Sequence, residues 1–189
     1  QSISNAVNNI SFQPDFVWVK DRTSAQDHKL TDSVRGTTKG LISDTTGAET
    51  TDTNGMTAFN AGGFSIGTDT NYNTNAATYV AWQWQAGQGT TSSNTSGSIT
   101  STVSVNATAG FSIVTYTGTG ANATVGHGLG VAPSLIIVKA RSAASTNWVT
   151  YTASQGATKY LLLNTTGAVV TDSTPWNNTA PTSSVFSVG

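Results

Sequence analysis

Two histidines, His28 and His127, are the side chains of this sequence with the widest range of chemistry open to them. A serine nucleophile would need one of them beside it and a carboxylate behind the imidazole. His127 stands in the segment VGHGLG, where flanking glycines indicate a turn that leads into a strand. A turn residue is therefore the preferred interpretation of His127, and a metal ligand or a pH-sensitive contact is the functional alternative.

Carboxylates are the second source of chemistry, because glycoside hydrolysis needs a pair of them across the scissile bond. Eight of the nine acidic residues lie in the first half of the chain, and the second half has only Asp172. This imbalance excludes a duplicated glycosidase site and leaves a single site in the first half as an alternative. Asp44, Glu49 and Asp52 could offer oxygens to Ca²⁺, but they lack EF-hand spacing and are better explained as solvated turns. We expect no catalytic residue, no metal site and no cofactor.

Tryptophans are the third group of residues that could have a functional role, because their flat rings can bind the faces of sugar rings. Trp82 and Trp84 alternate along the segment TYVAWQWQAG and so share one face of a predicted strand. Exposed, they would form a glycan-binding platform, with Trp148 as a third candidate. Buried, they would belong to the core, and this is the preferred interpretation because Val80 shares their face.

The segments that must position these side chains occur twice in the chain as an internal sequence repeat. The segment FQPDFVWVKDR (12–22) matches VAPSLIIVKAR (131–141), with the proline, the lysine and the arginine each 119 positions further along. TTKGLISDTTGAETTD (37–52) matches ATKYLLLNTTGAVVTD (157–172), and FSIG (64–67) matches FSVG (186–189). Such repetition predicts duplicated structural units. The repeated structural positions are Pro14, Lys20, Arg22 and Lys39 in the first copy, and Pro133, Lys139, Arg141 and Lys159 in the second.

Alternating apolar residues and Thr-Thr-Gly turns predict an all-β chain with two tandem β-sandwich modules of jelly-roll or concanavalin-like type. Module one spans residues 1–88, a Ser/Thr-rich flexible linker with a lead-in strand spans 89–104, and module two spans 105–189. Module two lacks a counterpart of TYVAWQWQAG (78–87). The two Lys-X-Arg segments are expected at solvated strand ends that run out from a buried start, or in a shared contact to a carboxylate or carbonyl.

Composition narrows the range of partners. Only 9% of the residues are charged and the formal net charge is −1, which argues against nucleic acid because phosphate is bound through many basic residues. The sequence contains no apolar run of about 18 residues, so a membrane-spanning helix is not predicted. Cysteine is absent, so packing rather than disulfide bonds must stabilise the fold.

Three stretches together resemble a known family: KLTDSVRGTTKGLISDTTGAET (29–50), YVAWQWQAG (79–87) and VGHGLGVAPSLIIVKARS (125–142). They are similar to the repeated β-modules of virion structural proteins in tailed bacteriophages, of the tail-fibre or tail-associated type and common in marine phages. The resemblance implies a non-enzymatic fibre, appendage or decoration protein on the virion surface, contacting other virion proteins, copies of itself or host-surface polysaccharide. A carbohydrate-binding module of an adhesin and a polysaccharide-degrading tail enzyme are the alternatives.

Overall fold

The computed structural model describes residues 1–189 as an almost purely β-stranded chain, which confirms the expected all-β class. None of its helices has the length and apolarity needed to cross a membrane. The strands are β1 (Ser2–Ser4), β2 (Phe16–Asp21), β3 (Lys29–Asp32), β4 (Lys39–Ile42), β5 (Thr50–Thr51), β6 (Met56–Asn60), β7 (Gly63–Ile66), β8 (Tyr79–Trp84), β9 (Ser92–Asn94), β10 (Ser101–Asn106), β11 (Phe111–Thr115), β12 (Ala123–Gly126), β13 (Leu135–Val138), β14 (Val149–Thr152), β15 (Lys159–Leu162), β16 (Val170–Thr171) and β17 (Val185–Val188). Two short helical turns are α1 (Thr70–Asn73) and a 3-10 helix (Thr174–Trp176).

Two antiparallel sheets face each other in the first half of the chain. The larger has the order β5-β4-β3-β2-β8, and the smaller has the order β1-β7-β6. Val17 and Val19 of β2 point inward and pack against Phe64 and Ile66 of β7. Tyr72 of α1 closes this core, where burial raises the pKa of its hydroxyl to about 12.

The second half repeats this arrangement with fewer strands. Its larger sheet has the order β13-β14-β15-β16, and β12 pairs with β17. Ile136 and Val138 of β13 pack against Val125 and Phe186, which lie on β12 and β17. A second apolar cluster is centred on Trp176.

Strand order therefore corresponds between the halves: β2 to β5 follow one another as β13 to β16 do, and β1 pairs with β7 as β12 pairs with β17. The turns correspond as well. Gly36 and Gly156 both have positive φ, at 101° and 73°, which only glycine adopts without strain. In both Thr-Thr-Gly turns a threonine hydroxyl accepts a hydrogen bond from the glycine N–H, from Gly47 to Thr45 and from Gly167 to Thr165.

The segment between the halves is more ordered than a flexible linker. Residues 92–94 form β9, which pairs with β10, and β10 pairs with β11 in a third sheet. The expectation of a flexible segment there is corrected, because residues 92–94 form main-chain pairs with β10. This third sheet lies against both halves: Phe111 contacts Phe16 of the first half, and Val114 packs on the core of the second.

Candidate functional site

A row of aromatic residues covers the outer face of the five-stranded sheet. The antiparallel register of β2 and β8 places Phe16 opposite Trp84 and Trp18 opposite Trp82. Trp82 is 45% exposed and Trp84 is 37% exposed. The preferred interpretation of these two residues as core was therefore wrong: the inward face of β8 carries Tyr79 and Ala81 instead.

Contacts along this row hold the rings in place. The Trp18 ring lies 6.1 Å from that of Trp82 in an edge-to-face arrangement, and the Trp18 Nε1–H donates a 3.0 Å hydrogen bond to His28 Nδ1. A ring fixed at its polar end loses little freedom when a ligand packs on its neighbour. The arrangement thus presents Trp82 as an open aromatic face beside a rigid support.

At its other end the row meets the second half of the chain. Trp84 stacks on Phe111 with ring centres 6.0 Å apart and planes 17° from parallel, and Phe16 lies 5.3 Å from Trp84. Phe111 belongs to β11 and was not identified from the sequence. Because one face of Trp84 is already stacked, Trp82 is the more accessible of the two rings.

Trp148 has a different environment from the one expected of a glycan-binding residue. It is only 4% exposed and packs on Leu30 and Leu41, which lie on the outer face of the five-stranded sheet. Its Nε1–H is shared between the carbonyl oxygens of Ile42 and Thr45, at 2.9 and 3.2 Å. The glycan-binding expectation for Trp148 is corrected, since its ring has no free face. Trp148 thus connects the two halves, and its contacts with Leu30, Leu41, Ile42 and Thr45 are called the joint.

An ionic network strengthens this joint. The nearly buried Arg35 guanidinium contacts Asp32 and Glu49, and Glu49 also accepts two hydrogen bonds from Arg141 at 2.8 and 3.0 Å. Burial alone would raise the pKa of Glu49, but the hydrogen bonds from the two arginines outweigh it and the pKa lies below its usual value. The Glu49 backbone N–H donates to the Arg141 carbonyl at 2.8 Å, so side chain and main chain both cross the joint.

The repeated lysines, Lys20 within β2 and Lys139 directly after β13, make the same contact in both halves. Lys20 donates to the carbonyl of Asp21 at 2.6 Å, and Lys139 donates to the carbonyl of Ala140 at 2.9 Å. A shared contact to a carbonyl, the second alternative for these residues, is what the geometry shows. Lys139 also reaches across the joint to the carbonyl of Thr46 at 3.4 Å.

The remaining repeated positions are divided between core and surface. Lys39 donates to Thr51 at 2.8 Å, and the Arg22 backbone N–H extends the pairing of β2 with the segment before β8. Pro14 is fully buried and Pro133 is half-buried. Lys159 pairs with Thr171 through the main chain, as Lys39 pairs with Thr51.

Buried carboxylates serve as hydrogen-bond acceptors within the fold. Asp15, which is fully buried, accepts 2.7 Å bonds from the N–H groups of Ala86, Gln88 and Gly89 and a 2.8 Å bond from Ser33. The expectation that β2 runs out to solvent holds for Arg22, which is exposed, but not for Asp21, which is 1% exposed. A hydrogen bond from the Ser24 hydroxyl lowers the pKa of Asp21, with backbone N–H groups adding to it.

The histidines are engaged in the same way. His127 is 3% exposed; its Nδ1 accepts from the Leu129 N–H at 3.2 Å, and its Nε2 lies 3.2 Å from the Thr182 carbonyl. Burial lowers the pKa of His127, which holds the ring neutral. The imidazole rings of both histidines thus form hydrogen bonds with protein groups other than a serine hydroxyl and a carboxylate. No cluster of three or more His, Asp or Glu side chains is arranged to hold a metal ion.

The sequence analysis did not identify Arg35 or Phe111, and it considered Glu49 only as a calcium ligand or a turn residue, not as the partner of two arginines. One signal was present: the matching positions of the second copy carry Gln155 and Val169, so the charged pair exists only in the first copy. Because Arg35 and Glu49 have no charged counterparts in the second copy, they indicate a contact that only the first copy makes.

The family model described as "Domain of unknown function (DUF7483)" matches residues 1–189. No curated protein matches the chain. No solved structure matches it either.

Proposed function

We propose that this chain, which belongs to the family of DUF7483 domains, is a non-enzymatic structural protein of a bacteriophage virion. It is a fibre, an appendage or a surface decoration, its location is the virion surface, and its partners are other virion proteins or copies of itself. The joint between the halves carries this proposal: Trp148 is inserted against Leu30 and Leu41, and Glu49 is bonded to Arg141. A fixed joint between tandem units suits a protein whose role is to hold a shape.

The proposal includes an origin by duplication. Residues 1–88 and 105–189 are then two tandem β-sandwich modules of jelly-roll or concanavalin-like type, with residues 89–104 between them. The shared strand order supports it, as do matched main-chain bonds such as Ser33 N–H to the Asp15 carbonyl and Ala153 N–H to the Ser134 carbonyl, at 2.8 and 2.9 Å.

The use of the polar side chains favours a structural role over catalysis. Asp15 and Asp21 accept several hydrogen bonds each from main-chain or hydroxyl groups, and Glu49 is held by two arginines. A general acid or nucleophile must be free to change its bonding during a reaction. The hydrogen bonds and ion pairs of these three carboxylates instead hold parts of the fold together.

Labelling of virions tests this proposal. Gold-conjugated antibodies raised against the purified chain should decorate a fibre, a tail or the capsid surface of phage particles that carry the protein. Mass spectrometry of gradient-purified particles should detect the same chain. If the protein is found only in the lysate and in no particle fraction, the virion role is wrong.

A second function, glycan binding, is favoured by one observation: Trp82 and Trp84 point outward from β8. Trp82 is the central platform residue, because Phe111 already covers part of Trp84. The ligand class is a polysaccharide of the host surface, whose sugar rings present apolar faces to an indole.

A glycan array measures this second function directly. Trp82→Ala should weaken binding about tenfold, the loss expected when an aromatic contact of about 1.4 kcal/mol is removed. Val131→Ala, at a position that is 60% exposed and lies in the second half, is the matched control and should bind as the unmodified protein does. Equal binding by the two variants would exclude Trp82 as the platform.

A further inference from the structure

The sandwich of the first half is open between two of its edge strands. β8 is at the edge of the five-stranded sheet, β1 is at the edge of the three-stranded sheet, and a cavity of about 540 Å³ lies between them. The space is left because β8 presents the small side chain of Ala81 there, between the larger Tyr79 and Gln83. We propose that this cavity binds a neutral, N-acetylated sugar residue. It lies on the face of β8 opposite Trp82, so it is a separate site from the aromatic platform proposed above.

The floor of the cavity is apolar and carries no charge. Ile3 of β1 and Ala81 of β8 are half-buried there and pack on Val19 and Phe64 of the core. None of the side chains that line the cavity is charged. A charged ligand would lose its hydration without gaining a partner of opposite charge, so the ligand that fits this cavity is neutral.

One hydrogen-bond donor in the wall of the cavity has a fixed orientation. Asn5 is oriented by the main chain of Phe12: its Nδ2 donates to the carbonyl at 2.9 Å, and its Oδ1 accepts from the N–H at 3.4 Å. The Asn5 Nδ2 also donates to Gln83 Oε1 at 3.1 Å, and this contact assigns the oxygen of the Gln83 amide. Gln83 Nε2 has no acceptor in the protein and is open to solvent. A ligand oxygen placed here meets a donor that is already oriented.

The turn after α1 forms a rigid rim at the other end of the cavity. The Tyr79 hydroxyl accepts a 2.8 Å hydrogen bond from the Thr74 N–H and donates a 3.0 Å bond to the Thr70 carbonyl. Ala76 of this turn has a φ of 63°, a left-handed conformation that is unfavourable for a residue with a side chain. Asn75 beside it presents its carboxamide to the cavity. Unfavourable backbone that is held in place by its surroundings is concentrated at ligand sites.

The apolar floor and the oriented donor together select the class of ligand. A plain sugar ring would place hydroxyl groups on the apolar floor without partners, and an aliphatic chain would leave the Gln83 amide hydrogens unpaired. An acetamido group satisfies both features, because its carbonyl oxygen accepts from Gln83 Nε2 and its methyl group packs on the apolar floor. The hydroxyl groups of the same sugar then lie at the rim, where Asn75 offers a carboxamide.

Titration of the full chain with simple glycosides tests the ligand class. The probes are the methyl glycosides of N-acetylglucosamine and N-acetylgalactosamine, and at least one should bind saturably, with the strongest saturation transfer in NMR at its acetyl methyl group. The methyl glycosides of glucose and galactose, which lack the acetamido group, should bind about tenfold more weakly or less. No saturable binding of either N-acetylated probe, or equal binding with and without the acetamido group, would overturn the proposal.

Three variants of β8 locate the probe in the cavity. Ala81→Leu fills the space, so binding should be lost while the melting temperature is preserved. Val80→Leu is the matched control, because this side chain faces away from the cavity, and it should bind the probe normally. Gln83→Glu keeps an acceptor for Asn5 but offers no donor at pH 7, so affinity should fall about tenfold. Undiminished binding by Ala81→Leu or by Gln83→Glu would overturn the proposal.

Trp82→Ala separates this cavity from the platform on the outer face. Loss of probe binding in Trp82→Ala, with binding retained in Gln83→Glu, would assign the sugar to the outer face and overturn the cavity site. Failure of the probe experiment would leave the other two proposals intact, since the glycan array tests the platform and the labelling of particles tests the virion role.

Discussion

Phe64 and Trp82 are both aromatic strand residues, but their side chains differ in burial. Phe64 is 2% exposed between the sheets of the first half, and Trp82 is 45% exposed on the outer face. Phe64→Ala should lower the free energy of unfolding by about 3–5 kcal/mol, as truncation of a buried aromatic residue does. Trp82→Ala should cost only about 1 kcal/mol, the worth of its contact with Trp18.

Urea denaturation of the two variants measures this difference. The slope of the free energy against urea should stay constant, so that a shift in midpoint reports stability. Similar losses for Phe64→Ala and Trp82→Ala would mean that Trp82 is packed as a core residue after all.

At the scale of elements, β8 shows what the sequence could and could not predict. The alternation in YVAWQW predicted both the strand and its two faces, and β8 is confirmed at Tyr79–Trp84. Which face points inward was predicted wrongly, because hydrophobicity favoured the tryptophans. The inward face carries Tyr79, Ala81 and Gln83, where Gln83 accepts a 3.1 Å hydrogen bond from Asn5. The outer face can be more apolar because Phe111 of the second half covers part of it.

The loop around His127 is an element whose stability should depend on pH. Burial lowers the pKa of His127, so its neutral ring stabilises the fold fully above the pKa of an unfolded histidine, about 6.5. As pH falls below that value, the unfolded chain takes up a proton that the folded chain resists, and this stability is lost. Thermal melting should therefore show a lower midpoint at pH 5 than at pH 7.

His127→Gln is the matched control for this loop. Glutamine can hydrogen-bond but does not titrate, so the variant should be less stable at pH 7 and should vary less between pH 7 and 5. An equal pH dependence in the variant and the unmodified protein would assign the effect to other groups.

At the scale of the whole molecule, the sequence predicted matching segments but not how the halves meet. Residues 119 to 122 positions apart correspond in strand order and in turns. The contacts between the halves are not repeated in this way, because Trp148 of the second half packs on the outer face of the first half and the first half has no matching contact. At the position matching Trp148 the first copy has His28, which is bonded to Trp18 within its own half. Contacts between unlike surfaces leave no repeat to detect.

The joint should make the two halves unfold together. Trp148 is 4% exposed, and its Nε1–H is shared by two carbonyl oxygens of the first half, so Trp148→Ala removes both apolar contact and hydrogen bonding there. Calorimetry should show one transition for the unmodified protein and two for Trp148→Ala, because halves that lose their coupling melt at their own temperatures. Trp176→Ala, inside the core of the second half, is the matched control. It should lower the temperature of a single transition that both halves share, since destabilising one coupled half destabilises both. A single, unshifted transition for Trp148→Ala would show that Trp148 does not couple the two halves.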